Sequence, residues 1–456
     1  MKTTRKIIAF LLVIAMTAVL FSGCGEDTGS GTGSKTGNGT GNQTGGMELP
    51  KLEITDSKMK YLCWSDPAQL KNTASWDYAI NEKMKSAYNC EIEYVRTTYA
   101  DLPVKAAQLV LSNDSPDLIF YKAQDDPIFV LNDIVQPVDE YMDFESALWK
   151  DVKDVNEAHK IKGKIYTPIT HIINDAYTYY YTKNLEDLGL ETPRSLYKKG
   201  EWTFSKMEEY AVKLTKKSTT GEVSVWGLAM DVAPFHLISG AGFVKTTDGK
   251  AENNLRDPRL ATYMNYIAKL TYDLKVRPIN ENSGDLFLKG KAAMHVGAQW
   301  FGSQLQKPMK AGEMEFAPSP KFDTGETYAP SRMGTAWVAK GAKNPGGAMA
   351  YMAIGRLMQA DPVTKVSLRE RDTLLSGYDD EDFDLMEEMN NPAKFNLLLR
   401  EDEGMGNQWG NQQQFDMTNQ LGNWEKPWAT CVEEYFPMLS AGITEINKKM
   451  DDFLKK

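Results

Sequence analysis

Few residues in this 456-residue chain could do covalent chemistry, and those are scattered. His159, His171, His236 and His295 stand alone, none with a second ligand at the spacing of a zinc site. The folded part carries no phosphate-binding loop, dinucleotide glycine motif, G-x-S-x-G elbow or H-E-x-x-H pair. No metal or cofactor is called for. The chain instead groups aromatic and acidic residues just past apolar runs: Trp64-Ser65-Asp66, Tyr121 to Asp126, Asp231 to His236 and Gly297-Ala298-Gln299-Trp300. Such groups recognise a ligand without making or breaking a bond. Ten Trp and 21 Tyr supply more flat, amphipathic faces than packing alone needs.

Positioning these groups takes strands that end together. Met59 to Trp64, Glu91 to Arg96 and Asp117 to Tyr121 read as strands, with helical spacing over Trp76 to Tyr88 and Leu102 to Leu111 between them. This alternation predicts a parallel sheet with helices on both faces, and ligands then bind beyond the carboxyl ends of the strands. Trp202 to Lys217 predicts a helix capped by Thr203 or Ser205, with Glu208 at capping-box distance from Ser205. Strands follow at Val223 to Met230, Lys291 to Val296 and Thr335 to Ala339. Helices follow at Asp257 to Leu274, with Pro258 in its first turn, at Gly346 to Met358 and at Pro427 to Lys456. The acidic helix Asp379 to Asn390 reads as a solvated face. Trp202, Trp226 and Trp337 fall at starts or middles of elements and read as core.

The stretch from Gly163 to Pro193 reads as a crossing between two lobes, and the chain length itself predicts two domains. Lys164 to Ile169 and Ala176 to Thr182 look like strands. Between them, Thr170 to Asp175 is too short for an element and has the composition of a hinge. Asn184 opens a short helical turn that ends at Gly189, and Pro193 forbids its continuation.

Met1 to Gly23 has a basic start, an apolar run from Ile7 to Phe21 and small residues before Cys24, the pattern of a secretion signal. The apolar run is shorter than the ~20 residues that span a bilayer. The glycine-rich stretch that follows is a flexible coil, so residues 24–49 form a tether with a reach of roughly 25 to 30 Å. The net charge of −10 makes nucleic acid a poor partner and leaves neutral or cationic ligands open. Cys63 ends one strand and Cys90 starts its parallel neighbour, ~10 Å or more apart, so Cys63, Cys90 and Cys431 read as buried thiols.

Several stretches in order, Ser115 to Tyr121, Gly163 to Tyr166, Tyr180 to Leu185, Leu286 to Met294 with Gly297 to Trp300, and Ala339 to Asn344 before a helix, carry a resemblance. From Lys58 onward the chain resembles the extracellular solute-binding proteins of ABC importers, in the branch similar to maltose-binding protein. Phe21-Ser22-Gly23-Cys24 resembles the lipobox of bacterial lipoproteins, although Phe21 stands where Leu is usual. The resemblance implies an α/β fold of two doubly wound lobes joined by a multi-crossing hinge. The lobes would be 50–170 with about 335–395, and 171–334 with about 396–456. The crossings would be His171 to Asp175, Ser331 to Gly334, and one between Pro392 and Trp424.

The family's site, carried onto matching positions, implies ligand contacts from Trp64, Asp66, Tyr121, Asp125, Asp175, Asp231, Trp300 and Trp428. It further implies a monomer lipid-anchored through Cys24 at the outer face of a bacterial membrane, a carbohydrate ligand and ABC permease partners. A pyranose has apolar C–H faces and a rim of hydroxyls, which aromatic rings and carboxylates match. Two rivals stay open: a polyamine or other cation held by Asp66, Asp125, Asp175 and Asp231, and a surface glycosidase with an Asp/Glu pair.

Overall fold

Alternation along the first strand sets up two cores. In Lys58–Cys63 (β1), Met59, Tyr61 and Cys63 turn to one hydrophobic cluster and Leu62 to another, as period-two geometry requires. The computed structural model describes residues 46–73, 75–230, 235–247, 249–279, 282–305, 308–309, 311–323, 325–399 and 426–455. The leader, Cys24, most of the tether and Asp231 lie outside the described residues. Met47, Leu49 and Leu52 pack against the first lobe, so the last residues of the expected tether belong to the folded body.

Glu91–Arg96 (β2) and Leu118–Phe120 (β3) flank β1, both parallel to it, and Ala336–Val338 (β13) adds an antiparallel edge beside β3. Trp76–Tyr88 (α1) and Leu102–Leu111 (α2) form the crossovers, with the predicted bounds. Pro345–Ala360 (α5) covers one face. Two buried polar side chains lock this lobe. The carboxylate of Asp117 accepts from Lys60 N at 2.8 Å and Asn344 N at 2.7 Å. Asn344 in turn caps α5 through Gly347 N and donates to the carbonyls of Asp56 and Lys58.

The second lobe is a five-stranded sheet in the order Met314–Pro318 (β11), Tyr177–Tyr181 (β5), Ala292–Gly297 (β10), Val223–Met230 (β7) and Lys216–Lys217 (β6). Strand β10 is parallel to β7, while β5 runs antiparallel to both β10 and β11. Tyr180 faces one core, and Tyr177 and Tyr179 face the other. Phe204–Leu214 (α3) lies so close to β7 that a Cβ at Gly227 would stand 1.8 Å from Ala211 O. Thr203 caps α3 through Lys206 N. Ser205 bonds Asp323 instead, so the capping box anticipated at Ser205 and Glu208 does not form. Pro258–Ala268 (α4) and the long Trp428–Lys455 (α8) complete the lobe. A hairpin of Val244–Thr247 (β8) and Lys250–Asn253 (β9) lies on α8.

Three strands pair where the lobes meet. His171–Asn174 (β4) pairs antiparallel with Tyr328–Gly334 (β12), which pairs parallel with Asn396–Leu399 (β14). The stretch expected to hold no element is therefore a strand, because β12 supplies the partner its backbone needs. The converse holds for Lys164 to Ile169, expected as a strand. Only a bridge from Ile161 to Lys164 forms there, and the Ile165 backbone is satisfied singly by Asp139 and Val138.

Pro362–Ser376 (α6) and Asp380–Met389 (α7) connect α5 to β14. Helix α7 was expected as a solvated face of the first lobe. Glu381, Asp384 and Glu387 do face solvent, but Leu385 and Met389 enter the second lobe's core, and buried Asp382 pairs with Arg194 at 2.5 Å. Strands β4 and β12 cross between the lobes, while β14 follows α7, which already sits in the second lobe, so the crossing expected between Pro392 and Trp424 falls earlier, between α6 and α7.

Arg356 of α5 ties the first lobe to the first crossing. Its guanidinium, 1 % exposed, donates to the carbonyls of Leu148 and Thr170, each at 2.8 Å, and pairs with Asp151. Replacing it would strand two buried carbonyls. Arg356→Met should cost roughly 3 kcal/mol of unfolding free energy, read from the denaturant midpoint. A loss within about 0.5 kcal/mol of zero would mean the hinge does not rely on this anchor.

Candidate functional site

Strand β12, with Leu399 of β14, floors a cavity of about 920 Å³ between the lobes. Pro330 to Met333 of β12 form the floor, Tyr121, Asp126, His159 and Thr167 stand on the first-lobe side, and Asp175, His295 and Trp300 on the second-lobe side. The size suits a small organic ligand. A broader cavity of about 1760 Å³ borders β4, α6 and α7, and Trp300 touches both. Tyr121 and Asp175 open only on the first, which makes it the candidate site.

Trp300 is presented on a braced turn. It follows β10, whose end passes through Gly297 into the short helix Gln299–Gln304. Asp175 Oδ1 accepts from Gln299 N at 3.1 Å, and Tyr179 Oη donates toward the carbonyls of Ala298 and Gln299 at 3.1 and 3.2 Å. Phe301 is buried in the core beneath. The indole of Trp300 is left 56 % exposed at the cavity wall. An apolar ring of this size held in solvent by a rigid support is poised to stack on a ligand.

On the opposite lobe, the Tyr121 ring packs 4.7 Å from that of Trp337, whose Nε1 donates to Thr167 Oγ1. Thr167 Oγ1 reaches Asp126 Oδ2 at 3.3 Å. Burial pushes the Asp126 carboxyl up from its ordinary range, while neighbouring His159 and the Thr167 and Tyr121 hydroxyls pull it back. Asp126 is the first-lobe carboxylate that reaches the cavity.

The anticipated residues thus divide. Tyr121, Asp175 and Trp300 meet around one cavity. Asp125 is absent from its lining: the carboxylate lies 3.7 Å from Lys122 Nζ, and burial raises its pKa to about 6. Asp66 is exposed and caps a short turn by accepting from Ala68 N. Trp64 packs on Phe120 and Tyr99, at 4.0 and 4.7 Å between ring centres. Trp428 was expected as a stacking aromatic; it is 4 % exposed in the second lobe's core, because the apolar stripe of α8 carries it inward. Asp231 lies outside the described residues. Sequence reasoning passed over Arg332, a charged residue inside a predicted crossing, whose Nε lies 3.5 Å from Asp175 Oδ2. Asp126 lies within the group Tyr121 to Asp126, but the resemblance points to Asp125, one residue before it.

The first crossing strand, whose His171 lines the broader cavity, has its own electrostatics. The single hydrogen of the Thr170 hydroxyl goes to Gly334 O at 2.7 Å, so His171 Nδ1, 2.9 Å away, must donate to Thr170 Oγ1. The ring lies against Gly334, where a Cβ would come within 2.0 Å of it. Burial, helped by the charge of Arg332, lowers the His171 pKa from 6.5 to about 4.

A family model described as bacterial extracellular solute-binding protein matches residues 67–354, more than half of the chain. No curated protein matches the sequence. Solved structures share the fold. An ABC substrate-binding protein from Listeria monocytogenes in complex with cycloalternan superposes with a TM-score of 0.62 at 16% identity, over 86% of this chain and 99% of that one. A cyclo/maltodextrin-binding protein complexed with maltotetraose gives 0.60 at 17%, over 86% and 99%. A protein with mannotriose bound gives 0.61 at 18%, over 84% and 100%. The fold is that of the type II periplasmic binding proteins.

The state of His171 generates a test. The native ring resists protonation down to about pH 4, whereas the unfolded chain takes its proton near pH 6.5. Stability is therefore lost as pH falls through that window. His171→Gln should flatten the decline of the thermal midpoint between pH 6.5 and 4 relative to the unsubstituted chain. Parallel curves would show that His171 does not set the acid sensitivity.

Proposed function

Since the chain belongs to the bacterial extracellular solute-binding proteins, we propose that it captures a sugar or oligosaccharide between its lobes and delivers it to an ABC transporter permease. Trp300 carries the reading: a braced, exposed indole on the wall of the interlobe cavity, with Tyr121 on the facing lobe. Binding of cycloalternan, maltotetraose and mannotriose by proteins of the same fold supports a carbohydrate. Domain closure about the crossing strands would bring the two aromatic faces onto the ligand. Chemistry on the ligand is no part of this role, in keeping with a family of binding proteins.

The charges favour a neutral ligand over a polyamine. A polycation needs carboxylates free to pair with it. Here Asp175 has Arg332, Asp125 has Lys122, and Asp66 is a cap. The other carboxylates on the wall are engaged too, Asp126 by Thr167 and Asp285 by Lys289, and Lys160 pairs with Glu157. A sugar needs no net charge, only hydroxyl partners and ring faces.

The proposal includes a lipid anchor at Cys24, motivated by the lipobox-like end of the leader. Cys24→Ser should abolish incorporation of labelled fatty acid in the producing bacterium; undiminished labelling would refute the anchor. Ligand capture is tested by thermal shift, since a sugar at about 100-fold over its Kd adds ~2.7 kcal/mol. Trp300→Ala should leave the ligand-free midpoint nearly unchanged, because the ring is mostly exposed already, and weaken sugar binding by roughly tenfold or more. A collapsed ligand-free midpoint would make Trp300 structural, and a shift with polyamines alone would overturn the carbohydrate reading.

A further inference from the structure

Helix α8 does more than fill the second lobe. Its buried stripe runs through Tyr435, Leu439, Ile443 and Ile446, then continues at the same three-and-four spacing to Met450 and Phe453, beyond that lobe's core. Ile446, Asn447 and Met450 line the interlobe cavity, and Ala158 to Ile161 line it from the first lobe. Phe453 packs against the first lobe's smaller core, with Lys162 Nζ 5.3 Å from its ring centre. In return, first-lobe Ile128 packs against the second lobe's core. The last turns of α8 thus wall the cavity as they reach from the second lobe to the first.

This wall is rigid on its own side. Asn447 donates to Ala251 O at 2.9 Å and accepts from Ala251 N at 3.1 Å, as a neighbouring strand would. Asn253 Nδ2 donates to Phe436 O and Ser440 Oγ, and Lys250 pairs with Asp451 at 3.4 Å. Hairpin β8–β9 and the end of α8 therefore move as one body. On the other side the contact is lighter: Phe453 and Met450 are only half-buried.

The geometry points to Met450, held in place by Phe453, as the residue that sets how long an oligosaccharide this site accepts. A linear chain lying on Trp300 and Tyr121 ends against Met450 with one terminus enclosed. A longer chain has to displace Met450 or lift Phe453 off the first lobe. Exclusion by a fixed obstacle gives selectivity that added contacts to a shorter chain cannot. The inference rests on the carbohydrate reading and adds the class of sugar, a short linear chain with one buried end.

The test is calorimetric titration of the full chain with linear malto-oligosaccharides and manno-oligosaccharides of increasing length, each also carrying a bulky fluorophore at its reducing end or at its non-reducing end. Affinity should fall by roughly tenfold or more past a limiting length, and only one labelled end should be tolerated. Met450→Ala and Phe453→Ala should each move the limit to a longer chain, with a smaller change for shorter members. Should Phe453→Ala unfold, Met450→Ala decides alone. Sugars that bind with no length limit, or a limit unmoved by Met450→Ala, overturn this inference and leave the carbohydrate reading standing. Failure of the unsubstituted chain to bind any member of either series removes the carbohydrate reading, and the inference falls with it.

Discussion

The structure depends on a constraint of backbone pairing. Two segments, at His171 and Tyr328, cross between lobes, a third at Asn396 follows the second-lobe helix α7, and each brings donors and acceptors that need partners in a thin neck. They solve this by pairing with one another. The resulting sheet is narrow enough to bend and still fixes where each crossing enters its lobe. Thr170 N and Asp175 N, at the two ends of β4, bond Gly334 O and Pro330 O of β12. Arg356 secures the first-lobe end at Thr170 O. Fully buried Asn174, bonded to Asn390 and Met389, secures the other to α7. Because α7 is itself set into the second lobe by Arg194 and Asp382, the neck is tied at both ends by buried polar contacts.

The same economy governs the site. Asp175 closes the first crossing, accepts from the turn that carries Trp300 and faces Arg332 from the second crossing. One carboxylate so couples the floor of the cavity to its aromatic wall. A bond of 3.1 Å links the end of the first crossing directly to the turn beneath Trp300. The charged groups around the cavity are largely compensated by one another, which leaves shape and exposed ring faces to discriminate among ligands.

Local pattern carried much of the architecture. The bounds of α1, α2, β2 and β7 follow from apolar spacing alone, since a residue's face is set by the 3.6 and 2.0 periods wherever a core is available to receive it. Cys63 and Cys90 are buried and free, as their positions on parallel neighbours require. Tyr121, Asp175 and Trp300 could be picked out because each follows or precedes a strand whose end faces the cleft, or because a motif fixes its place.

Other features are invisible to local pattern. Whether Thr170 to Asp175 forms a strand depends on β12, more than 150 residues away, and whether α7 is solvated depends on Arg194 and on a core built from β11. Asp125 and Asp126 are chemically identical neighbours, and only the short turn Ala123–Asp125 decides which one reaches the cavity. Trp428 and Trp300 likewise share a type and opposite fates, one drawn into a core by the stripe of α8 and the other held out by Asp175 and Tyr179. The sequence by itself determined which segments fold into helices and strands and that aromatic and acidic groups would gather at their ends. Only the tertiary structure decided which of those groups face a common space, because that depends on pairings and packing between segments that no local spacing encodes.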